Sequence, residues 1–600
     1  MPETARVPGA NGSAALGDQK NVQIVRDRGE KQHRAENARL TKRKAIAVAS
    51  IPGSNNPRRL GVIEEVGRKL DKAHQRSSLF SSDNSFISRS KFDEIITPEV
   101  VLDIVSDLDS FKHESPKTRN KLAQDIYYGD GVQGPRRRLL GVLLGIDRVG
   151  DLKQHMEDGI TDDCLPLTTE PGPDGEEECM LYCERHGRNH MVIEQYPRPD
   201  TRRQFSRWSR ILMPTFIISK RNAKHNHYVL ERGDPLPMTV PDVSLAVNAS
   251  SAAMCQGGFG EVIPVRIDAS GGKFEHHTLL NPKQLFALKR LKHEFGEDAE
   301  KHRNEFEMEV RSLLYADNRA DCHGRVDGKK ESNDVHLIPL LATFEVWDPQ
   351  SNLRTYYLLF DWAEGNLKDF WKSNTNMIRD KASLPWLAEQ FYQLVRALHI
   401  MHNDRQFILS NKTESNLFGR HGDIKPSNFL YFELADGRKI FVIGDFGLGR
   451  LHSKMSRSKQ DPKDIPMTAT YRAPEFDLEN GTISPRSDLF SMGCVFLEHI
   501  TWFFYGNQGV DEFSAARLET GAKYGFEEDT FFALSSDHRT AGLKGKVKDW
   551  IDTRLRCHPD CSEYLYKMLD LIEHGMLHPD SEKRLKSEML RKDLATLSLQ

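Results

Sequence analysis

The chain is short of cysteine, of any excess charge and of long apolar runs, and each shortage argues against a class of protein. Eight cysteines in 600 residues, with no charged-then-apolar leader at the N-terminus, speak against a disulfide-built secreted scaffold and for a reducing, intracellular compartment. Lys and Arg total 84 against 87 Asp and Glu, for a net charge of -3. The broad basic excess expected of a nucleic-acid or anionic-membrane binder is therefore missing. No stretch stays apolar for the roughly 18 residues that a helical membrane span needs. What is present in quantity is length, too much for one hydrophobic core, so two or more folded units joined by linkers are expected.

Residues 1–90 are rich in Gly, Ser, Asn, Lys and Arg and poor in aromatics. They are expected to be disordered, because they offer too little apolar area to offset chain entropy. Within them TKRK (41–44) has the composition of a nuclear-import patch, which leaves cytoplasm and nucleus both open, but reads first as solvated charge. From 97 the pattern changes. Thr97 can cap a helix, Pro98 suits its first turn, and Val101, Ile104, Val105, Leu108 and Phe111 recur at helical spacing. With further helical signals at 121–128 and 139–156, residues 91–164 read as a small helical module, an interaction unit for a protein partner by default.

Residues 165–237 read as a linker followed by a mixed region of uncertain fold, opening on the acidic, Gly- and Pro-rich TTEPGPDGEEE. Cys179 with Cys183, and Cys557 with Cys561, are pairs of thiols. Two thiols alone fall short of the four ligands of a structural zinc site, so no zinc is expected there.

The chemistry lies further on. CQGGFGEV (255–262) leads into VIPVRI (262–267), a glycine-rich hairpin whose backbone can approach phosphate oxygens where a Cβ would obstruct. Alone such a hairpin is an ordinary tight turn. Its partners follow: FALK, with Lys289 after an apolar run; NEFEMEVRSLLYAD (304–317), with Glu305 and Glu309 one helical turn apart; RHGDIKPSNFL (420–430); GDFG (444–447); RAPE (472–475); and SDLFSMGC (487–494).

This ordered set resembles the eukaryotic protein kinases, over residues 238–597. The resemblance implies a bilobal α+β fold, a small β-rich lobe on a large helical one, preceded by the helical module and the disordered N-terminus. It implies transfer of the γ-phosphate of ATP, with Mg²⁺, to hydroxyls of protein substrates. Residue by residue, Gly257, Gly258 and Gly260 would cover the phosphates and Lys289 would contact them. Glu309 would pair with Lys289, with Glu305 the alternative; Leu313, four residues on, would then pack against Phe446. Asp423 would orient or deprotonate the substrate hydroxyl, and Lys425 would neutralise the transferring group. Asn428 and Asp445 would hold Mg²⁺. Val262, Ala287 and Leu430 would line the adenine site, beside the hinge residues Asp361 and Ala363 that follow the gatekeeper Phe360. Lys425 and Thr468 resemble the Ser/Thr-specific form. Asp488 resembles the aspartate that braces the catalytic loop, and Glu475 and Arg584 resemble a structural ion pair.

Two positions depart from the family pattern. Cys255 stands where the glycine triplet usually begins. Gly422 stands where an arginine commonly precedes the catalytic aspartate and clamps an activation-loop phosphate. The longer connection at 403–420, with HGD, HITWF (499–503) and the histidine pair at 276 and 277, is similar to kinases of filamentous fungi. Two rival readings exist: a pseudokinase scaffold that binds partners without efficient transfer, and a small-molecule phosphotransferase. Retention of Lys289, Asp423, Asn428 and Asp445 speaks against the first, and RAPE with Asp488 against the second.

Overall fold

The computed structural model describes residues 61–597 apart from several stretches, the longest being 171–179, 242–254, 276–284, 292–298, 403–416 and 454–468. TKRK, Cys179, Gly258, the histidine pair at 276 and 277, the insertion 403–416, Phe446 and Thr468 lie outside the described residues.

The helix expected after Thr97 runs Pro98–Asp107, with Thr97 Oγ1 accepting from the Val100 N–H at 3.4 Å and Val101, Ile104 and Val105 buried. Pro116–Tyr128 and Arg137–Gly145 follow and share its core. The module is larger than the sequence suggests at both ends. Helix Val62–Lys72 falls within the stretch expected to be disordered; its Val66 and Leu70, one turn apart, are buried in the same core while its other face is charged. A composition average over 90 residues hides a two-residue stripe, and tertiary packing supplies the stability that propensity does not. At the far end, Leu165, Leu167, Leu181, Cys183, Ile193, Tyr196 and Phe205 join this core. Much of the expected linker is therefore folded, as a three-stranded sheet of Thr168–Glu170, Met180–Cys183 and Arg188–Asn189 and a helix Pro199–Ile211.

Next comes a seven-stranded sheet in the order Asn226–Glu231, Ala342–Asp348, Leu353–Asp361, Leu285–Leu291, Gly260–Ile267, Met238–Thr239, with Cys255–Gly257 as a second partner of Gly260–Ile267. Neighbours are antiparallel except the first pair, which is parallel. Strand alternation divides Leu285–Leu291 cleanly. Phe286 and Leu288 enter a core with Val265, Phe344 and Leu359 on one face, and Lys289 and Leu291 are buried on the other. Helix Ala299–Cys322 lies on this second face, where Phe306, Val310 and Leu313 share a core with Leu291, Tyr356 and Leu358.

The remaining chain is mainly helical. Leu384–His402 and Arg486–Arg517 are its long helices, the second broken at Gly506, which has φ +69°. Strands Phe429–Glu433 and Lys439–Ile443 form a hairpin over them. A β-rich unit followed by a helical one, behind a helical module, is the arrangement the sequence leads one to expect.

His499 lies at the centre of the helical unit among Phe391, Phe441 and Trp502, accepting from Trp371 Nε1–H at 3.0 Å. Burial away from any compensating charge pushes its pKa from 6.5 down to about 3. The unfolded chain takes up a proton as pH falls through 6.5 and the folded chain does not until about 3. Stability is therefore whole above that window and declines on acidification within it, by about 1.4 kcal/mol per pH unit for this group. His499→Gln keeps an acceptor for Trp371 and removes the titration. Between pH 7 and about 5.5, wild type should lose about 1.2 kcal/mol more stability than this variant in urea unfolding; parallel losses would show that His499 is protonated in the fold.

Candidate active site

Three distant segments meet on the face of the sheet that carries Lys289. Lys289 Nζ lies 2.7 Å from Glu309 Oε1 and 2.9 Å from Asp445 Oδ1. Burial works to lower the pKa of Lys289, but the two carboxylates outweigh it and hold the ammonium above its ordinary value, so it stays charged at any physiological pH. Glu309 is buried, whereas Glu305 is exposed and lies 4.0 Å from Lys301. The geometry thus brings Glu309, not Glu305, to Lys289. Leu313, one turn on, is buried in the core.

The loop His421–Asn428 is held by its backbone. Asp488, fully enclosed in helix Arg486–Arg517, accepts from the N–H of His421 at 2.9 Å and of Gly422 at 2.9 Å, and contacts His402 Nε2 at 2.9 Å. Burial favours the neutral acid, yet His402, Arg420 and His421 prevail and hold the Asp488 pKa below the usual carboxylate value. Gly422 has φ +84°, a conformation costing an L side chain about 1–2 kcal/mol. Glycine at this position therefore meets a backbone requirement as well as removing an arginine. His421 Nε2 in turn contacts the Gly444 carbonyl at 2.9 Å, tying the loop to the segment that carries Asp445.

Within the loop, Asn428 Nδ2 donates to the Asp423 carbonyl at 2.7 Å and to its Oδ2 at 3.1 Å, and Lys425 Nζ lies 2.7 Å from the same Oδ2. The hairpin of Phe429–Glu433 and Lys439–Ile443 opens just after Asn428 and closes just before Asp445, and the Gly444 N–H donates to the Asn428 carbonyl at 2.9 Å. The amide and the carboxylate therefore stand at one end of the same hairpin. Both offer hard oxygen donors of the kind Mg²⁺ takes, so the residues fit that ion.

Around them, Val262 pairs with Lys289 and Pro264 with Ala287 across the sheet, and Val262, Ala287 and Leu430 are half-buried. Ala287 faces Phe360 on the next strand. Asp361 is buried, Ala363 half-buried, and the Trp362 N–H donates to the Leu285 carbonyl at 3.1 Å. Gly260 pairs with Gly257 at the tip of the glycine-rich hairpin.

Beyond the cleft, Arg584 grips Glu475 with two bonds of 2.8 and 3.0 Å, both side chains buried. Two neighbours of that pair went unnoticed in the sequence. Tyr471 OH donates to Glu498 at 2.9 Å, and Arg517, sandwiched between Phe513 and Phe531, pairs with the same carboxylate at 2.8 Å. Arg472 binds Asp477 and Glu528. Three of the five residues 471–475 are thus pinned by buried charge, a pattern no local spacing advertises.

Asp488→Asn tests the clamp, since the amide presents N–H₂ to donors that expect an acceptor. Stability should fall by about 1–3 kcal/mol in denaturant unfolding, whereas the exposed Asp436→Asn should leave it nearly unchanged. Equal midpoints for the two variants would show that the loop is held by something else.

Comparison with known proteins agrees with this geometry. The model of the family described as "Protein kinase domain" matches residues 329–593. "Cyclin-dependent kinase E-1" of Arabidopsis thaliana is 28% identical over 145 residues, 24% of this chain and 28% of that protein. "Serine/threonine-protein kinase SSN3" of Yarrowia lipolytica is 30% identical over 142 residues, 24% of this chain and 31% of that protein. "Cyclin-dependent kinase B1-1" of Arabidopsis thaliana is 28% identical over 174 residues, 28% of this chain and 50% of that protein. The chain thus spans half or less of the length of these relatives. Residues 329–593, which hold Asp423, Asn428, Asp445 and Asp488, are thus similar to the protein kinase domain, and the Lys289, Glu309 and Asp445 cluster ties the strand and helix before them to that region.

Proposed function

We propose that the protein is a Ser/Thr protein kinase, using ATP and Mg²⁺ and acting on protein substrates through a kinase domain of residues 238–597. The observation that carries this reading is the run of contacts in which Lys289 pairs with Glu309 and Asp445, the Gly444 N–H beside Asp445 donates to the Asn428 carbonyl, and Asn428 with Lys425 holds Asp423. Phosphoryl transfer needs positioning and charge neutralisation more than covalent chemistry. Lys289 binds phosphate oxygens of ATP, its charge secured by Glu309. Gly257, Gly258 and Gly260 cover the phosphates with backbone N–H groups. Val262, Ala287 and Leu430 hold the adenine against the backbone of Asp361 to Ala363. Asp423 accepts the proton of the attacking hydroxyl, and Lys425, on the same carboxylate oxygen in the resting site, turns to the transferring group. Asn428 and Asp445 would hold Mg²⁺, which when bound offsets phosphate charge. Resemblance to kinases named as serine/threonine-specific, and Lys425 two residues after Asp423, support the hydroxyl specificity. No described helix is long and apolar enough to cross a membrane, and with no basic excess neither a membrane nor nucleic acid is proposed as a partner.

Asp423→Asn and Asp445→Asn should each lower radiolabelled phosphate transfer to a mixed protein substrate by about 10²–10⁴-fold. Only the second should markedly weaken Mg-ATP binding. Wild type that binds nucleotide but transfers no more phosphate than Asp423→Asn would turn the reading to the scaffold.

Gly422 bears on control. The segment 451–459 carries Ser453, Ser456 and Ser458 among basic residues, and the strand Arg450–Ser453 that leads into it pairs with Leu417–Arg420 just before the catalytic loop; residues 454–468 lie outside the described ones. Without an arginine at 422, a phosphate on these serines lacks its usual clamp. Activity should depend little on them. Wild type and a Ser453, Ser456, Ser458 triple-alanine variant are dephosphorylated, left to autophosphorylate and assayed. Activation of tenfold or more confined to wild type, about 1.4 kcal/mol of barrier, would show that another basic residue replaces the clamp.

A further inference from the structure

We infer that the N-terminal module holds a structural zinc ion on Cys164, Cys183, His186 and His190. Nothing in the kinase chemistry uses these residues, which lie in the module and outside residues 329–593. One ligand atom from each lies within 4.8 Å of all the others. His186 Nδ1 is 3.7 Å from Cys164 Sγ, 3.5 Å from Cys183 Sγ and 3.4 Å from His190 Nε2. Ligand-to-zinc lengths of about 2.3 Å for sulfur and 2.0–2.1 Å for nitrogen put tetrahedral edges at about 3.6 Å for sulfur to nitrogen and about 3.3 Å for nitrogen to nitrogen. The three distances are those edges to within about 0.1 Å.

Hydrogen bonding alone does not account for the cluster. A ring nitrogen carries either one proton or one lone pair in the ring plane, so His186 Nδ1 can serve one partner, and three converge on it. A cation at the centre satisfies all four atoms at once. The surroundings are those of a metal site. Asp158 Oδ2 lies 3.4 Å from His190 Nδ1, the nitrogen facing away from the cluster, and Asp158 is itself held by the Val192 N–H at 3.1 Å and Arg188 at 3.0 Å. Asp158 and His190 make no hydrogen bond at that distance, but a carboxylate behind a ligating histidine favours the proton on the facing nitrogen. The Thr161 N–H donates to Cys164 Sγ at 3.4 Å. Cys164, Cys183 and His190 are buried and His186 is at the surface, giving the ion an entry side.

Four protein ligands leave no open position, so the site is structural. Binding displaces one proton from each thiol and forms two Zn–S and two Zn–N bonds. It fastens three pieces to one another: the turn Asp162–Cys164, the hairpin of Met180–Cys183 and Arg188–Asn189, and the short helix Met191–Glu194 that begins just after His190. The spacing Cys183-x₂-His186-x₃-His190 is compact, with Cys164 supplied from 19 residues upstream; the partner of Cys183 is thus Cys164, not Cys179.

The test uses the full chain, purified without chelator and briefly incubated with zinc chloride before gel filtration. Elemental analysis should find one zinc per chain in wild type and in a Cys557→Ser, Cys561→Ser control, and less than about a tenth of that in Cys183→Ser and His190→Ala. Asp158→Asn should bind zinc about 10–100-fold more weakly while retaining all four ligands. Because a ligand variant can fail by misfolding, Co²⁺ is also titrated into stripped wild type. The strong visible bands of four-coordinate cobalt, with a thiolate charge-transfer band, are expected. Zinc-free wild type after incubation, zinc content indifferent to the ligand substitutions, cobalt spectra without thiolate, or a Cys164–Cys183 disulfide in the isolated protein would each overturn the proposal.

Discussion

The buried carboxylate of Asp488 sets the shape of the catalytic loop, and most of the cleft follows from it. A charge enclosed in a protein interior is tolerated only where hydrogen bonds and opposite charge replace water. Asp488 obtains two backbone N–H donors, His402 and the nearby Arg420 and His421. The requirement runs both ways. His421 and Gly422 must turn their N–H groups toward one helix residue, which fixes the peptide planes leading into Asp423 and presses Gly422 into a positive φ. From there Asn428 and Lys425 can reach the Asp423 carboxylate without further strain.

The second constraint is electrostatic. Lys289, Glu309 and Asp445 come from a strand, a helix and the end of a hairpin, and their meeting exists only when all three elements are docked. Removing one partner would leave a buried charge uncompensated, typically 3–5 kcal/mol, so the cluster couples assembly of the site to the packing of Leu313, Leu358 and Ile443 beneath it. Its two carboxylates also place negative charge on both sides of the lysine.

How much of this the sequence discloses depends on the range of the interaction. Residues that act from one loop, such as Asp423, Lys425 and Asn428, are legible because their spacing is their geometry. Glu309 against Glu305 was decidable only through Leu313, a packing argument, since both glutamates share a helical face. The helix Val62–Lys72 is not legible in composition, because two apolar residues suffice where a neighbouring core receives them. Sequence proximity pairs Cys183 with Cys179, while its spatial neighbours include Cys164, from the turn that precedes the sheet. The signal was there in CERHGRNH (183–190), a cysteine and two histidines in eight residues, but proximity of like residues outweighed variety of ligands.

The module and the cleft are not independent. Ser77 Oγ donates to the Met238 carbonyl at 3.0 Å and Arg210 pairs with Asp234, so the module's first and last parts both touch the entry to the sheet. Between Arg210 and Met238 runs strand Asn226–Glu231, which covers the sheet edge in parallel with Ala342–Asp348. His227 on that strand contacts Thr343 Oγ1 at 2.9 Å and sets its ring 5.9 Å from Phe306, which stacks on Tyr356 at 4.5 Å. Phe306 is three residues before Glu309 on the same helix, hence on the same face. An edge strand added from outside the matched kinase domain therefore bears on the helix whose placement decides whether Glu309 reaches Lys289.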